Sequence, residues 1–199
     1  MKNFLSKIVG FLLTVLIGPQ IVRARTCDVA FTFRMGAGFA GDINRTHPFD
    51  CVPERQDATN PIARFGNPCL VNTSANTVRG IIAADASDST AVNIYGVLVR
   101  PFPTQQNSTS QALGTATPPT APAILDVLTE GLIMANVVGS PTKKGAVYVW
   151  AAAASGSHVL GGFESAASAG NTVRVANAYF NGPPDSNGVT EIRVWNQGA

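Results

Sequence analysis

Charged side chains are scarce in this chain of 199 residues, where 14 side chains are basic, 12 are acidic and only 13% of the sequence is charged. The first 28 residues carry four basic side chains and one acid, which leaves ten basic and eleven acidic residues in the remainder. A nucleic-acid-binding surface requires clustered Lys and Arg. The composition therefore argues against nucleic acid as a partner.

Histidine and cysteine are also rare, and this limits the metal and redox sites that the chain could build. The two histidines, His47 and His158, lie in no HExxH motif and in no Cys/His cluster with metal-ligand spacing. The three cysteines, Cys27, Cys51 and Cys69, have no CxxC spacing, so zinc or a disulfide framework is weakly supported. We expect reduced thiols in a cytosolic protein, because a Cys51–Cys69 disulfide would require export.

Motifs of covalent catalysis are missing as well. No G-x-S-x-G nucleophile elbow occurs. His158 follows Ser155-Gly-Ser157. A serine close to a histidine in sequence does not make a catalytic triad, because a triad is a spatial arrangement. We therefore expect His158 to lie at the tip of a hairpin. A carboxylate pair for glycoside hydrolysis stays open, since any two acids could converge in the fold. We predict that the protein is not an enzyme and uses no cofactor or metal.

One glycine motif needs separate treatment, because Gly36, Gly38 and Gly41 form a G-x-G-x-x-G. In a dinucleotide-binding turn, a helix follows the glycines at once and presents its N-terminus to pyrophosphate. Residues 42–48 have no helical periodicity, and no second strand ends in an acid about 20 residues later. We therefore predict a flexible Gly-rich arm with aromatic anchors instead of a cofactor site.

Glycine (19 residues) and proline (13 residues) are plentiful, as expected for an all-β protein with many turns. The sequence predicts one domain with a jelly-roll or β-barrel body, because short strands alternate with turn signals. Its central strand is Ala91–Arg100, where Gly96 indicates a bulge or a close backbone approach and Pro101 ends the ladder. Further strands are predicted at residues 31–35, 69–72, 77–82, 124–134, 146–150, 171–176 and 189–195.

Several segments between these strands are expected to lack regular structure. Residues 42–68 are polar and punctuated by prolines, which predicts an extended crossing segment. Residues 85–90 and 136–145 have turn composition, and residues 104–122 predict a long polar loop. Gly131 is expected to make a bulge or tight bend in its strand.

Residues 1–28 differ from the rest, since Lys2 and Lys7 precede an apolar run that Gly18-Pro19 interrupts. Three interpretations compete: a secretory signal or anchor, a hydrophobic arm that packs on a partner, or a mis-assigned translation start. We favour the last, with Val29 as an alternative initiator. The predicted organisation is thus an extension (residues 1–28), an extended Gly/aromatic arm (residues 29–48) and a β body (residues 49–199).

Four stretches of the chain resemble the structural cement (capsid decoration) proteins of tailed bacteriophages. They are Ala30–Pro48, Tyr95–Gln106, Lys144–Val149 and Ala178–Pro183, and the resemblance covers about residues 29–195 in order. It implies a β-barrel or jelly-roll body, often dimeric, that binds the outer face of a capsid and clamps neighbouring major capsid protein subunits. It also implies location on the virion exterior, assembly in the bacterial host cytoplasm, and no nucleic-acid or membrane partner.

A protein of this kind needs a rigid body and extended segments whose weak contacts add through multivalency. The candidate capsid-binding residues are aromatic anchors and arginines that could bind carboxylates on the shell; they are Phe31, Phe33, Arg34, Phe39, Arg45, Arg100 and Phe102. Alternatively, the phenylalanines fill the domain's own core, and Arg100 is a satisfied strand-end arginine. The rival functions are an exported β-sandwich adhesive module, with an N-terminal signal, and a carbohydrate-active enzyme on a jelly roll.

Overall fold

A computed structural model of the chain describes residues 38–45, 48–101, 117–119 and 121–195. These residues belong to one compact unit, Gly36–Ala199. The described part is all-β, as predicted, and its one short 3-10 helix is Ala83–Asp85. The strands are β1 (Asp50–Arg55), β2 (Pro68–Asn72), β3 (Thr77–Arg79), β4 (Ser87–Val92), β5 (Gly96–Leu98), β6 (Ile124–Val138), β7 (Ala146–Trp150), β8 (Phe163–Glu164), β9 (Thr172–Phe180) and β10 (Val189–Val194).

Five of these strands close into a barrel, in the order β6, β10, β9, β7, β8 and back to β6. The β6–β8 pair is parallel and the other four pairs are antiparallel. Alternating side chains point inward and fill the barrel, which is why these strands read as β-branched and aromatic. The buried side chains in this cluster include Ile133, Val147, Val149, Phe163, Val173, Phe180 and Ile192.

A second group of strands extends from the first half of β6, which pairs with β1 on one edge and with β5 on the other. β5 continues through β2 to β3. After β1, the chain runs beside β3. Gln56 forms an isolated parallel β-bridge with Val78, and the Asp57 N–H donates to the Val78 carbonyl at 2.8 Å. A separate apolar cluster lies here, formed by Ile62, Phe65, Cys69, Val78, Leu98, Leu125 and Val127.

β6 belongs to both groups, and Gly131 lies where it changes partners. Residues up to Glu130 pair with β1, whereas Gly131 itself pairs with Val194 of β10. Gly131 has φ +139°, and a Cβ there would lie 2.8 Å from the Cβ of Phe49. Only glycine accepts this backbone and this approach; the register shift of the β1–β6 ladder lies just before it, between the pairs Asp50–Glu130 and Cys51–Leu128.

The predicted central strand, Ala91–Arg100, was wrong in its continuity. β4 ends at Val92 and β5 begins at Gly96, so residues 93–95 interrupt it. Asn177 provides the reason, because its side chain binds the backbone of Ile94 in place of a neighbouring strand. The close approach at Gly96 is confirmed, since a Cβ there would lie 2.4 Å from the Leu128 carbonyl oxygen.

Three segments predicted as irregular contain strands. β1 lies within residues 42–68 and tolerates Pro53 because its ladder partner in the described structure is β6 alone, so the proline is on an edge strand. β4 occupies the supposed turn at residues 85–90, where parallel pairing with β9 overrides composition. β6 runs on to Val138, and the turn begins at Gly139, which has φ +94°.

Candidate contact surface

The arm was predicted to be flexible, but its described residues 38–45 are bound to the barrel by backbone hydrogen bonds. The Gly41 N–H donates to the Met134 carbonyl at 2.7 Å, and the Met134 N–H donates to the Asp42 carbonyl at 2.9 Å. The Arg100 N–H donates to the Gly41 carbonyl at 2.9 Å. We call residues 38–45 the strap. They bind the edge of β6 in the gap between the residues that pair with β5 and the residues that pair with β8.

Two glycines allow the strap to lie this close. Gly41 has φ +91°, and a Cβ there would lie 2.9 Å from the Arg100 Cβ. Gly66 approaches from the other side, since its own Cβ would lie 2.7 Å from the Gly41 nitrogen. The glycine motif thus serves close backbone packing, and residues 41–45 contain no helix of the kind that a dinucleotide turn requires.

Phe39 stands at the start of the strap and is 44% exposed. A reciprocal turn holds its backbone, because the Phe39 N–H donates to Asp42 Oδ2 at 3.0 Å and the Asp42 N–H donates to the Phe39 carbonyl at 3.1 Å. The Arg100 guanidinium carbon lies 4.6 Å from the centre of the Phe39 ring, a cation–π distance. The structure therefore brings together two residues that the sequence nominated separately.

Arg45 ends the strap and reaches β10. Its Nε lies 2.7 Å from Glu191 Oε1, and its side chain is 59% exposed. Glu191 is buried, and its second carboxylate oxygen accepts a hydrogen bond from the Asn181 side-chain amide. The Glu191 carboxylate is therefore engaged on both oxygens, and it holds the Nε side of Arg45 while the Arg45 side chain stays largely exposed.

The remaining nominated residues, Phe31, Phe33, Arg34 and Phe102, lie outside the described residues, as do His47 and Cys27. Phe49 is an exposed aromatic residue that was not among the predicted contact residues; it is 52% exposed and packs its Cβ against Gly131. The exposed side chains of the strap include Phe39 and Arg45, residue types that are enriched in protein–protein contacts.

His158 lies in the hairpin-like return that the sequence predicted, where it exchanges backbone hydrogen bonds with Ser155. Its ring stacks on Trp150 at 4.3 Å, and its Nδ1 lies 2.8 Å from Glu164 Oε1. Burial raises the pKa of Glu164, although the hydrogen bond with His158 opposes the shift. These contacts anchor the loop between β7 and β8.

The two described cysteines, Cys51 and Cys69, are free thiols in the structure. Burial raises the pKa of Cys69 to about 12, and it also raises the pKa of Cys51. Within the described ranges, no three His, Cys, Asp or Glu side chains are grouped to hold a metal ion. No helix there has the length and apolar character needed to cross a membrane.

An open depression of ≈310 Å³ lies beside Gln56 and Asp57. The Asp57 oxygens accept hydrogen bonds from the backbone of Thr59 and Asn60 and from the side chain of Asn72. These bonds lower the pKa of Asp57, with the Asn72 bond contributing most. This carboxylate therefore closes a turn in the fold.

Comparison with known proteins points to one group. The chain matches the family of the XM1 gp53 minor capsid protein over residues 29–194. Among solved structures, a chain of the capsid of Myoviridae phage XM1 has a TM-score of 0.58 and 16% sequence identity, and the match covers 86% of this chain and 99% of that chain. At this identity, the likeness shows the fold. No curated protein matches the chain.

Proposed function

This chain belongs to the XM1 gp53 minor capsid protein family, and we propose that it binds the outer surface of a phage capsid and cements neighbouring major capsid protein subunits. Family membership makes it a structural protein of a phage capsid and a component of the virion. The position on the exterior, the partner and the cementing action are the proposal. The strap is the observation that carries it.

The strap holds an aromatic ring and a guanidinium at its two ends while its middle is bound to β6. Side chains presented from a fixed backbone lose little conformational freedom on binding, which favours affinity. Phe39 supplies apolar area, and Arg45 supplies donors for a carboxylate on the shell. Binding through these side chains requires no bound small molecule.

We include Phe31, Phe33, Arg34 and Phe102 in the proposed contact, because they flank Phe39 and Arg100 in sequence. Contacts on more than one capsid subunit would add through effective concentration, so individually weak contacts would give firm retention. The predicted dimer belongs to the same proposal. Light scattering of the purified protein at several concentrations tests it, since a stable dimer has twice the chain mass throughout.

Co-sedimentation with capsids that lack this protein tests the proposal. The full-length protein should pellet with the capsids and should raise the temperature at which the shell dissociates. Arg45→Lys keeps a cation beside Glu191 but loses the planar fork, and Phe39→Ala removes the ring. Each should weaken retention by roughly tenfold, as expected for a residue at the centre of a contact.

Matched controls separate binding from folding. Arg55 is exposed and pairs with Ile124, ten residues along β6 from the strap partner Met134, and Leu160 is exposed in the loop between β7 and β8, so Arg55→Ala and Leu160→Ala should bind as the unmodified protein does. Thermal unfolding should show that all four variants keep the fold. If the unmodified protein stays in the supernatant, or if all four variants bind alike, the strap is not the contact.

A further inference from the structure

A second group of side chains lies on β9 and just after β10, where Tyr179 is opposite Arg193, two residues beyond Glu191. The Lys144 ammonium lies 3.6 Å from the centre of the Tyr179 ring. The Tyr179 and Trp195 rings lie 5.6 Å apart and are tilted by 46°. We call Lys144, Tyr179 and Trp195 the aromatic–lysine patch.

The backbone beneath the patch is held firmly. Lys144 adopts the left-handed region at φ +65°, which is uncommon for a residue with a side chain. Its N–H donates to the Phe180 carbonyl at 2.7 Å, next to Tyr179. At the far end, the Trp195 N–H donates to the Asn177 carbonyl at 3.2 Å, and Asn177 Nδ2 donates to the Trp195 carbonyl at 3.1 Å.

The patch is continuous with the strap surface along β10. Ile192 and Val194 are buried inside the barrel, so Glu191, Arg193 and Trp195 occupy the opposite face of the strand. Glu191 binds Arg45 of the strap, and Arg193 is directly opposite Tyr179 in the β9–β10 ladder. One outer face therefore runs from Arg45 to the aromatic–lysine patch.

The charge of this face favours an acidic occupant. Lys144 supplies an exposed cation beside the rings, whereas Arg45 is paired with the buried carboxylate of Glu191, which also accepts a hydrogen bond from the Asn181 side chain. An ammonium over an aromatic ring keeps donors that can bind a further anion. Tyr and Trp supply flat contact area at a low cost in side-chain entropy, and both are common at the centres of interfaces.

We propose that the aromatic–lysine patch is a second contact point with the capsid, and that its occupant is an acidic segment of a major capsid protein subunit. A carboxylate of that segment binds the Lys144 ammonium, and the neighbouring side chain lies on the Tyr179 and Trp195 rings. This inference rests on the proposed function, because a protein that joins two subunits requires contact points beyond the strap.

Two neighbouring lysines provide a matched test. Asn accepts the left-handed backbone, so Lys144→Asn removes the cation and keeps the turn, whereas Lys143→Asn removes an adjacent exposed cation. In co-sedimentation with capsids lacking this protein, Lys144→Asn should bind roughly tenfold more weakly. Lys143→Asn should bind as the unmodified protein does, and Lys144→Glu should bind more weakly than Lys144→Asn.

Fluorescence gives an independent readout, because the chain has two tryptophans. Trp150→Phe leaves Trp195 as the reporter, and its emission should shift to shorter wavelength when capsids are added. Provided that the unmodified protein binds, two results would overturn the second contact. One is equal binding by Lys144→Asn and Lys143→Asn, and the other is an unchanged Trp195 emission. Loss of self-association in Lys144→Asn with unchanged capsid binding would also overturn it. Failure of the unmodified protein to bind would instead reject the proposed function.

Discussion

The side chain of Asn177 binds both backbone groups of Ile94. Its Oδ1 accepts from the Ile94 N–H at 2.9 Å, and its Nδ2 donates to the Ile94 carbonyl at 2.8 Å. Asn177 is buried, and the same Nδ2 donates to the Trp195 carbonyl. One amide therefore replaces a strand neighbour for the segment between β4 and β5 and also holds the end of β10.

Replacement of Asn177 by Ala should destabilise the fold by about 3 kcal/mol, because buried backbone groups of Ile94 and Trp195 would lose their partner. Urea unfolding measures this as a lower midpoint with an unchanged slope. Asn187 is exposed in the turn before β10, so Asn187→Ala serves as the control. Equal midpoints for the two variants would contradict the role given to Asn177.

Gly41 gives a second prediction, since it combines a left-handed backbone with close contacts to Arg100 and Gly66. Gly41→Ala should cost about 3 kcal/mol or more, as strain and overlap add. Two glycines separate the contributions. Gly156 has φ +60° with nothing near its missing Cβ, and Gly182 has neither constraint.

Gly156→Ala should therefore cost about 1 kcal/mol from backbone strain alone, and Gly182→Ala should cost less than that. Thermal or urea unfolding ranks the three variants. A Gly41→Ala variant as stable as Gly182→Ala would mean that the strap is not packed between β6 and Arg100.

The strand content of the fold could be predicted because each barrel strand shows a β-strand residue pattern within its own sequence. The strand β7 alternates buried and less buried residues as far as Val149, five of the six residues of β10 are buried, and both strands lie where the sequence placed them. The break at residues 93–95 could not be predicted, because its cause is Asn177, 83 positions away from Ile94. The same holds for β4, whose pairing with β9 depends on tertiary context.

The contact surface shows the same limit. Phe39 and Arg45 could be nominated from an aromatic and basic Gly-rich segment, but their fixed presentation depends on Met134 and Glu191, which are distant in sequence. Tyr179 lies in β9 and Trp195 directly follows β10, and the β9–β10 pairing brings their rings together. No local motif marks such a pair.

The thiols give a third prediction. Burial raises the pKa of Cys69 to about 12, so almost no thiolate is present at pH 8 and the side chain is inaccessible. Iodoacetamide at about pH 8 should leave Cys69 unmodified in the native protein, and Cys51, which is partly exposed, should react slowly. In denaturant without reductant, peptide mapping should find both residues alkylated; a Cys51–Cys69 disulfide would leave both unmodified.

Acid stability gives a fourth prediction. Hydrogen bonds from Asn72, Asn60 and Thr59 hold the pKa of Asp57 below its usual value. A carboxylate whose pKa is lower in the folded state stabilises the fold above its unfolded pKa of about 3.9, and this stabilisation is lost as the pH falls through the folded pKa. The urea concentration at the unfolding midpoint should therefore decrease as the pH is lowered below about 4.

Variants at this turn identify the group responsible. Asp57→Asn should reduce the fall in urea midpoint on acidification, because no carboxylate remains there to be protonated. Asn72→Ala removes the strongest donor to Asp57, which brings the folded pKa of Asp57 closer to its unfolded value, so the fall in urea midpoint should be smaller and should be complete at a higher pH. The same fall in all three proteins would assign the acid sensitivity to other carboxylates.

The most direct test of the proposed cementing role is a cryo-EM reconstruction of purified virions that contain this chain. We expect density for the barrel on the outer face of the shell. It should contact at least two major capsid protein subunits through the surface that runs from Phe39 and Arg45 to Trp195. Barrel density on the inner face, or contacts with a single subunit that leave this surface exposed, would contradict it.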